Sequence, residues 1–382
     1  MNISYSFVIY NNTTQLPLRW DDIAISTVFL SKKYLQVLER SSPENMICHF
    51  IGIFENENLV GVSIAQYLNL NKLESFGGRD KRIKTKIRNF VFKNFASQVL
   101  VLGNNMLTGQ NSYALEEGID HKKAIQALHS AANKLKTNFA EKNIKVHITT
   151  YKDFTNAEIK NFAVPELENE YQFSTQPNMI FLIDENWKTE QNYIESLSKK
   201  YRDQYKRARK KAISLEKRKL SLEEITLLED EIYDLYYHVA QNAPFNTFFL
   251  PRDHFRVFKE LFKDKFLFYG YFIGDKLIGF NTLIKNAKVM DTYFLGYDES
   301  IQRQNMLYLN MLYDMIAYSI NKNFDEIVFA RTALEIKSSV GAKPVKMFGV
   351  ISHSNKLINS FMPKIFKYLE PETIWQQRNP FK

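Results

Sequence analysis

The clearest pattern of hydrophobic and polar positions lies between residues 266 and 344. Aromatic and β-branched residues flank a Gly/Asp turn at 273–276, as in a β-hairpin. Apolar runs with strand and helix periods predict the order β-β-β-α-β, with elements at 266–272, 277–284, 288–295, 304–320 and 326–329. Polar and charged residues then cluster at 331–344. Because α/β sheets tend to bind ligands beyond strand ends, this cluster is the first candidate for a functional site.

The first half of the chain repeats this pattern. Residues 50–54 and 59–61 match 268–272 and 277–279 at a constant offset of 218, without a gap. A predicted strand, helix and strand follow here as well, at 98–103, 122–142 and 144–149. Similarity of this kind within one chain indicates two copies of one fold.

The chain length agrees with two domains. Single hydrophobic cores stop growing at about 250–300 residues, and this chain has 382. We expect an α/β (α+β) protein in which each domain is a mixed, twisted sheet flanked by helices. The predicted domains are an N-terminal one at 1–170 and a C-terminal one at 171–382 that includes a helical segment at 190–241.

Cysteine content and hydropathy restrict the compartment. Cys48 is the only cysteine, which excludes an internal disulfide and a cysteine-based metal cluster and fits a reducing environment. The N-terminal residues lack the pattern of a secretion signal, and no run of 18 apolar residues occurs. We therefore expect a cytoplasmic protein, associated at most peripherally with the inner membrane face.

Positive charge is concentrated in one segment. Residues 199–219 contain eleven Lys and Arg against Asp203 and Glu216, a net +9 that equals the formal charge of the whole chain. This segment is predicted to follow an RNA backbone, to lie on an anionic membrane, or to form a solvated helix face. Aromatic residues are sparse in it, which disfavours base stacking, and DNA is not expected as a partner. The predicted patch for an anionic partner consists of Lys199, Lys200, Arg202, Lys206, Arg207, Arg209, Lys210 and Lys211.

The sequence lacks the common motifs for nucleotides, metals and nucleophiles. It has no Walker-type loop, no Gly-x-Gly-x-x-Gly, no His-Glu-x-x-His and no metal-ligand spacing among its seven histidines. Ser63 and Cys48 lie in apolar strand patterns, so we interpret both as structural. The remaining chemistry is alignment of an activated donor with an acceptor. Acyl transfer from a thioester or aminoacyl ester to an amine is such a reaction.

Two segments carry a more specific pattern. One joins Asn178-Met179 and an apolar strand to Trp187, Tyr193 and the charged run up to Lys211; the other spans residues 329–342. Together they resemble the FemABX-like branch of the bacterial GNAT-superfamily acyltransferases. The resemblance implies two tandem GNAT domains, with the first degenerate and the second catalytic, and a role in the cell envelope. It also implies an acyl-CoA donor or, as in the Fem enzymes, an aminoacyl-tRNA.

The chain departs from the GNAT pattern at the loop that usually holds the CoA pyrophosphate. Enzymes that use acetyl-CoA have a glycine-rich loop between a strand and the main helix, whose N–H groups bind the phosphates. Residues 300–306 occupy this position and contain no glycine. Either CoA is held differently, or the donor is an acyl-carrier protein or an aminoacyl-tRNA. Three residues of this region are candidates for donor contacts: Gln302, Arg303 and Tyr308.

Each candidate near the last predicted strand has a functional and a structural interpretation. Arg331 binds a phosphate or carboxylate, or caps the strand end. Glu335 accepts the amine proton and Lys337 holds an anionic donor or substrate, or the two form a solvated pair. Tyr293 and Tyr297 flank the strand end where the acyl group lies in a GNAT fold, or they pack in the core.

The favoured hypothesis is an N-acyltransferase that works by direct attack in a ternary complex, without a metal. Its acceptor is an amine on a small molecule, lipid or peptide. The first alternative is a Fem-like ligase that uses aminoacyl-tRNA and acts on a peptidoglycan precursor. The second alternative is a non-catalytic module that binds an anionic polymer or membrane through the basic segment.

Overall fold

In this computed structural model the described residues are 4–72, 95–243, 246–369 and 375–382. They form two compact units. The first unit takes its described residues from 1–176, 244–251 and 346–372, and the second from 177–243, 252–345 and 373–382. The predicted boundary at residue 170 lies near the first division. Residues 346–369 were assigned to the second domain from the sequence, but they belong to the first unit.

Thirteen strands are present in the described part of the chain. They are β1 (Tyr5–Tyr10), β2 (Met46–Glu55), β3 (Asn58–Asn69), β4 (Gln98–Leu102), β5 (Tyr113–Leu115), β6 (Ile148–Phe154), β7 (Tyr171–Leu182), β8 (Glu216–Lys219), β9 (Phe266–Ile273), β10 (Lys276–Asn286), β11 (Val289–Tyr297), β12 (Glu326–Val328) and β13 (Lys343–His353). Among the described helices, those of six or more residues are Lys32–Ser41, His121–Glu141, Glu190–Ser196, Lys199–Lys211, Leu222–Leu227, Glu229–Gln241, His254–Phe262, Glu299–Asn305, Leu307–Asn321, Leu334–Ser339 and Lys356–Leu369.

The first unit is a mixed sheet in the order β1-β2-β3-β4-β6-β13, with β5 added to β3. Only the β4–β6 pair in it is parallel among the registers described, and β13 pairs with β6 in antiparallel fashion. The latter pairing explains why residues 346–369 belong to this unit. The helix His121–Glu141 begins at Asp120, whose side chain accepts hydrogen bonds from two backbone N–H groups, and it buries Ala and Leu side chains on the sheet.

The second unit is a sheet in the order β7-β12-β11-β10-β9-β8. The β11–β12 pair is parallel, and the other pairs are antiparallel. The helix Leu307–Asn321 packs on one face and is buried along most of its length. The helices Glu229–Gln241 and His254–Phe262 supply aromatic side chains to the other face, where Tyr236 contacts Phe294 and Phe258 contacts Phe266.

The predicted repeat is present in the strand register. In the first hairpin Ile53 pairs with Gly61, and a bulge follows before Phe54 pairs with Leu59. In the second hairpin Tyr271 pairs with Gly279, and a bulge precedes the pairing of Phe272 with Leu277. The paired residues of the second hairpin follow those of the first by 218 positions, the offset found in the sequence. The two hairpins therefore share their register and the position of their bulge.

Two predicted helices differ from those observed. The helix predicted at 304–320 is interrupted at Met306, whose φ of 48° is left-handed, so that one helix ends at Asn305 and the next begins at Leu307. The basic segment forms a helix only from Lys199 to Lys211, and its last three cations lie on β8, which pairs with β9. Strand pairing with β9 competes with helix extension at this point.

Two absences concern the described residues only. None of their helices combines the length and the apolar character needed to cross a bilayer. They also contain no group of three or more His, Cys, Asp and Glu side chains placed to hold a metal ion.

Candidate active site in the second unit

The sheet of the second unit opens between β11 and β12. These parallel strands pair only from Val289–Asp291 to Glu326–Val328. Beyond that point the chain stays with β7, because the Phe329 N–H donates to the Met179 carbonyl at 2.8 Å, whereas β11 continues to Tyr297. The Thr292 hydroxyl donates to the Val328 carbonyl at 2.9 Å, one position beyond the last paired residue of β11. The separation creates a wedge between the end of β12 and the continuing strand β11.

A bulge in β11 turns the side chains beside this wedge. Asn281 pairs with Leu295 and Leu283 with Thr292, so two residues of β11 face one residue of β10. Tyr293 lies on the aromatic face, where its hydroxyl is 2.9 Å from His254 Nε2. Tyr297 packs on the other face, against Tyr308. The two tyrosines that were predicted to flank the acyl group are therefore not brought together.

The side chain of Lys337 contacts the residue that follows β12. Its side chain is buried, and its Nζ donates to the carbonyl of Phe329, the residue that follows β12. Burial lowers the pKa of Lys337 to about 7. The amine therefore changes protonation state near neutral pH, in contrast to an exposed lysine.

Glu335 lies on the opposite side of the same short helix. It is exposed, and Arg378 donates to its Oε1 through Nε and Nη2. Residues two positions apart on a helix point about 200° from each other. Glu335 and Lys337 therefore do not form a pair.

Arg331 and the donor candidates have different surroundings. Arg331 is half-buried, in a turn where Ala330 and Ala333 have φ values of 60° and 54°. Left-handed backbone at non-glycine residues is costly and concentrates at functional sites.

Arg303 is exposed and paired with Glu299 at 3.3 Å, on the helix that contains Gln302. Tyr308 packs on Tyr297, and burial raises its pKa above the usual value.

The carboxylate of Asp298 caps the N-terminus of the helix that contains Gln302. Asp298 Oδ1 accepts hydrogen bonds from the Ser300 N–H at 3.0 Å and the Ser300 hydroxyl at 2.6 Å. The Asp298 carbonyl accepts from the N–H groups of Ile301 and Gln302. The hydrogen bonds to Ser300 lower the pKa of Asp298, so this helix terminus already carries a negative charge.

The basic helix, Lys199–Lys211, separates its charges from its packing surface. It buries Tyr201 and Ala208. At 100° per residue, its exposed cations cover about 140° of the circumference and about 18 Å of length. Within the described part of the chain none of these six makes an ion pair: Lys199, Lys200, Lys206, Arg207, Lys210 and Lys211.

The other two predicted patch residues serve the fold. Arg209 Nη1 donates to Asp314 at 2.7 Å and Nη2 to Glu190 at 2.8 Å, and its guanidinium lies over the Tyr205 ring. Arg202 Nη1 donates to the Leu197 carbonyl at 2.5 Å. Both side chains are half-buried. The anionic-partner patch therefore contains six residues that face solvent and two that brace the helix.

Sequence reasoning missed Arg378 and Gln204, which stand beside Glu335. Arg378 is 43 positions from its partner Glu335, and no local pattern relates the two. Gln204 lies on the buried edge of the basic helix, where its amide donates to the Tyr313 hydroxyl and to Ser339 Oγ, both at 3.3 Å. The sequence did contain an indication for Gln204, because it is a polar residue on the side of the helix that packs on the core.

Comparison with known proteins identifies the fold. No family model matches the chain, and no curated protein matches it. The crystal structure of FemX is similar to this chain, with a TM-score of 0.54 and 10% sequence identity. The alignment covers 96% of this chain and 100% of the FemX chain. A tandem GNAT protein from the clavulanic acid biosynthesis pathway, solved without AcCoA, is similar as well, with a TM-score of 0.52 and 9% sequence identity. The alignment covers 92% of this chain and 99% of that protein's chain. The chain has the FemX-like, tandem GNAT fold, as the sequence predicted.

Proposed function

We propose that the second unit transfers an acyl or aminoacyl group from an activated ester or thioester to an amine. The observation that carries this proposal is the position of Lys337. Its amine lies at the end of β12, where β11 and β12 separate, and its pKa is about 7. A base with a pKa near the working pH is suited to remove a proton from an attacking amine.

The proposed reaction is a direct attack. The acceptor nitrogen forms a bond to the carbonyl carbon of the donor, and its proton passes to the neutral Lys337 amine. The tetrahedral intermediate then expels the thiolate or alkoxide, which takes the proton from Lys337. The N–H groups of β11 beyond the wedge are the proposed donors to the developing oxyanion. Arg331, in its strained turn, is proposed to orient an anionic group of a substrate.

The corresponding position in the first unit supports placing the reaction in the second. There β4 and β6 pair over their whole shared length, from Val99–Leu102 to Ile148–Tyr151. The next residue, Lys152, donates to the carbonyls of Asn104 and Leu107 and pairs with Asp153 at 2.6 Å. The loop that contains Asn104 and Leu107 contacts this strand end, so the described residues of the first unit offer no comparable wedge.

A nucleic-acid ester is the second candidate for the donor, favoured by Asp298. At the start of the helix Glu299–Asn305 the Asp298 carboxylate accepts from the Ser300 N–H, and the Asp298 carbonyl accepts from those of Ile301 and Gln302. The negative charge of this carboxylate would repel a pyrophosphate there. The six exposed cations of the basic helix offer an alternative place for a polyanion. An aminoacyl-tRNA satisfies both conditions, whereas a CoA thioester would need contacts outside this loop.

Ligand-induced stabilisation separates these donors. We would follow the thermal stability of the protein with CoA, acetyl-CoA, a long-chain acyl-CoA and bulk tRNA, since saturation at about 100 times the Kd adds about 2.7 kcal/mol. Stabilisation by an acyl-CoA beyond that by CoA supports the thioester donor. A response to tRNA that fades with salt supports the aminoacyl donor.

Turnover then tests the chemistry. With the stabilising donor and a panel of amines, Lys337→Met is expected to lower kcat by about 100-fold or more, the usual contribution of a general base. Lys337→Arg keeps the positive charge but cannot act as a base near pH 7. Wild-type turnover in both variants would refute the assignment of Lys337.

A further inference from the structure

A cavity of about 430 Å³ lies against the helix Leu334–Ser339. The basic helix contributes Lys200 and Gln204, the helix Leu334–Ser339 contributes Glu335 and Ser339, and the C-terminal segment contributes Arg378. All belong to the second unit. The volume falls in the range of small-molecule sites.

Two cations from separate elements converge on this cavity with donors to spare. Arg378 uses Nε and Nη2 on a single oxygen of Glu335, and its Nη1 donates to no group in the described chain. Lys200 makes no ion pair with the described residues, and its Nζ lies 5.3 Å from the centre of the Tyr201 ring. A guanidinium edge and an ammonium that line one cavity match the hydrogen-bonding needs of an oxyanion.

The neutral wall of the cavity is held in a fixed orientation. The Gln204 amide donates to the Tyr313 hydroxyl and to Ser339 Oγ, both at 3.3 Å. The Ser339 hydroxyl in turn donates to the Ile336 carbonyl at 2.7 Å. Both amide hydrogens of Gln204 are therefore engaged, and its oxygen remains as an acceptor.

The Glu335 carboxylate sets the position of Arg378. The Arg378 backbone N–H also donates to Ser338 Oγ at 2.9 Å, so this residue is attached to the helix by both backbone and side chain. With Lys200 and Arg378 against Glu335, the cavity carries one excess positive charge. The remaining exposed cations of the basic helix add to the positive potential.

We propose that this cavity binds the carboxylate or phosphate group of a small molecule between Lys200 and Arg378. Glu335 orients the guanidinium, and the Gln204 oxygen accepts a hydrogen bond from the rest of the ligand. The helix Leu334–Ser339 lines the cavity with the side that bears Glu335 and carries Lys337 on its other side, and the bound group is assigned to a substrate of the transfer reaction. This last role, unlike the binding itself, rests on the proposed function.

Calorimetric titration of the full chain tests the binding without any assay of activity. The probes are inorganic phosphate, glycylglycine and the C-terminal amide of glycylglycine, which lacks the carboxylate. Lys200→Met and Arg378→Met remove the two cations, and Glu335→Gln removes the competing carboxylate. Lys206→Met is the matched control, since Lys206 is also an exposed cation of the same helix but does not line the cavity.

We expect phosphate or glycylglycine to bind and the amide to bind weakly or not at all. Lys200→Met and Arg378→Met should each weaken binding about tenfold or more, as for the loss of a hydrogen bond to a charged group. Glu335→Gln should strengthen binding, and Lys206→Met should change it less than about twofold. Preference for phosphate identifies a phosphorylated ligand, and preference for glycylglycine a carboxylate.

Equal losses in Lys200→Met and Lys206→Met would show a diffuse electrostatic effect and overturn the proposal. Absence of binding by both anionic probes would overturn it as well. If the anions bind as expected but Lys337→Met turns over normally, the cavity stands and the proposed catalytic role fails. The two conclusions are thus distinguishable.

Discussion

Lys337 links burial to pH dependence at the scale of one residue. Its pKa in the folded protein is about 7, below the value of about 10.4 for an unfolded lysine. Between these values the unfolded chain binds a proton that the folded protein does not. The contribution of Lys337 to the free energy of unfolding therefore rises with pH over this range, by up to about 1.4 kcal/mol per pH unit, and is lowest below about pH 7.

Urea denaturation between pH 6 and pH 10 measures this effect. The difference in unfolding free energy between wild type and Lys337→Met should grow in favour of the wild type as the pH rises from about 7. The exposed Lys122 provides the control, and Lys122→Met should follow the wild-type curve. A pH-independent difference for Lys337→Met would assign the titration to another group.

Arg209 is the residue whose loss should most disturb the basic helix. Arg209→Met leaves Glu190 and Asp314 without their shared guanidinium, although Lys217 Nζ stays 3.6 Å from Asp314. Removal of one partner from a buried ion pair costs about 3–5 kcal/mol, and partial exposure here reduces the expected cost to about 2 kcal/mol. Arg303→Met, which breaks an exposed pair, should cost less than about 0.5 kcal/mol. Equal midpoints in urea would contradict this assignment.

At the scale of elements, Gly296 sets the approach of a helix to β11. A Cβ at this position would lie 2.6 Å from backbone atoms of Leu235 and Tyr236 in the helix Glu229–Gln241. Gly296→Ala must therefore displace the helix or the strand, and such overpacking costs about 1–3 kcal/mol. Gly274→Asn is the control, because nothing lies within 4 Å of its Cβ and Asn tolerates its left-handed backbone. Thermal unfolding that is unchanged by Gly296→Ala would disprove the close packing.

The elements that the sequence predicted well are those with local signals. The two hairpins have alternating apolar residues around short turns, and their glycines occupy equivalent positions of the bulged register. The helix break at Met306 was missed because the usual signal for left-handed backbone is glycine or asparagine. Glu335 and Lys337 were predicted as one site because the segment was not recognised as a helix. In the helix Leu334–Ser339 the two side chains lie on opposite sides.

At the scale of the whole molecule, the sequence predicted two tandem units but not all of their membership. β13 joins the first unit through its pairing with β6, a contact between segments about 200 residues apart. No local pattern determines such a pairing, so chain order alone misplaced residues 346–369. The wedge between β11 and β12 is likewise a property of three adjacent strands and has no signature in any one of them.

The charge of the whole molecule leads to the last prediction. The segment 199–219 accounts for the net +9, so the rest of the chain is close to neutral. If the exposed face of the basic helix holds a polyanionic donor, binding of tRNA should weaken steeply with salt, because each neutralised phosphate releases counterions.

Replacement of Lys199, Lys206 and Lys210 by Gln should flatten the slope of log K against log salt by about 3 and weaken binding at low salt. Replacement of Lys122, Lys142 and Lys145 lowers the net charge equally but on another surface, and should leave the slope near the wild-type value. If both triple variants change the slope alike, tRNA responds only to net charge and the basic helix is a solvated face.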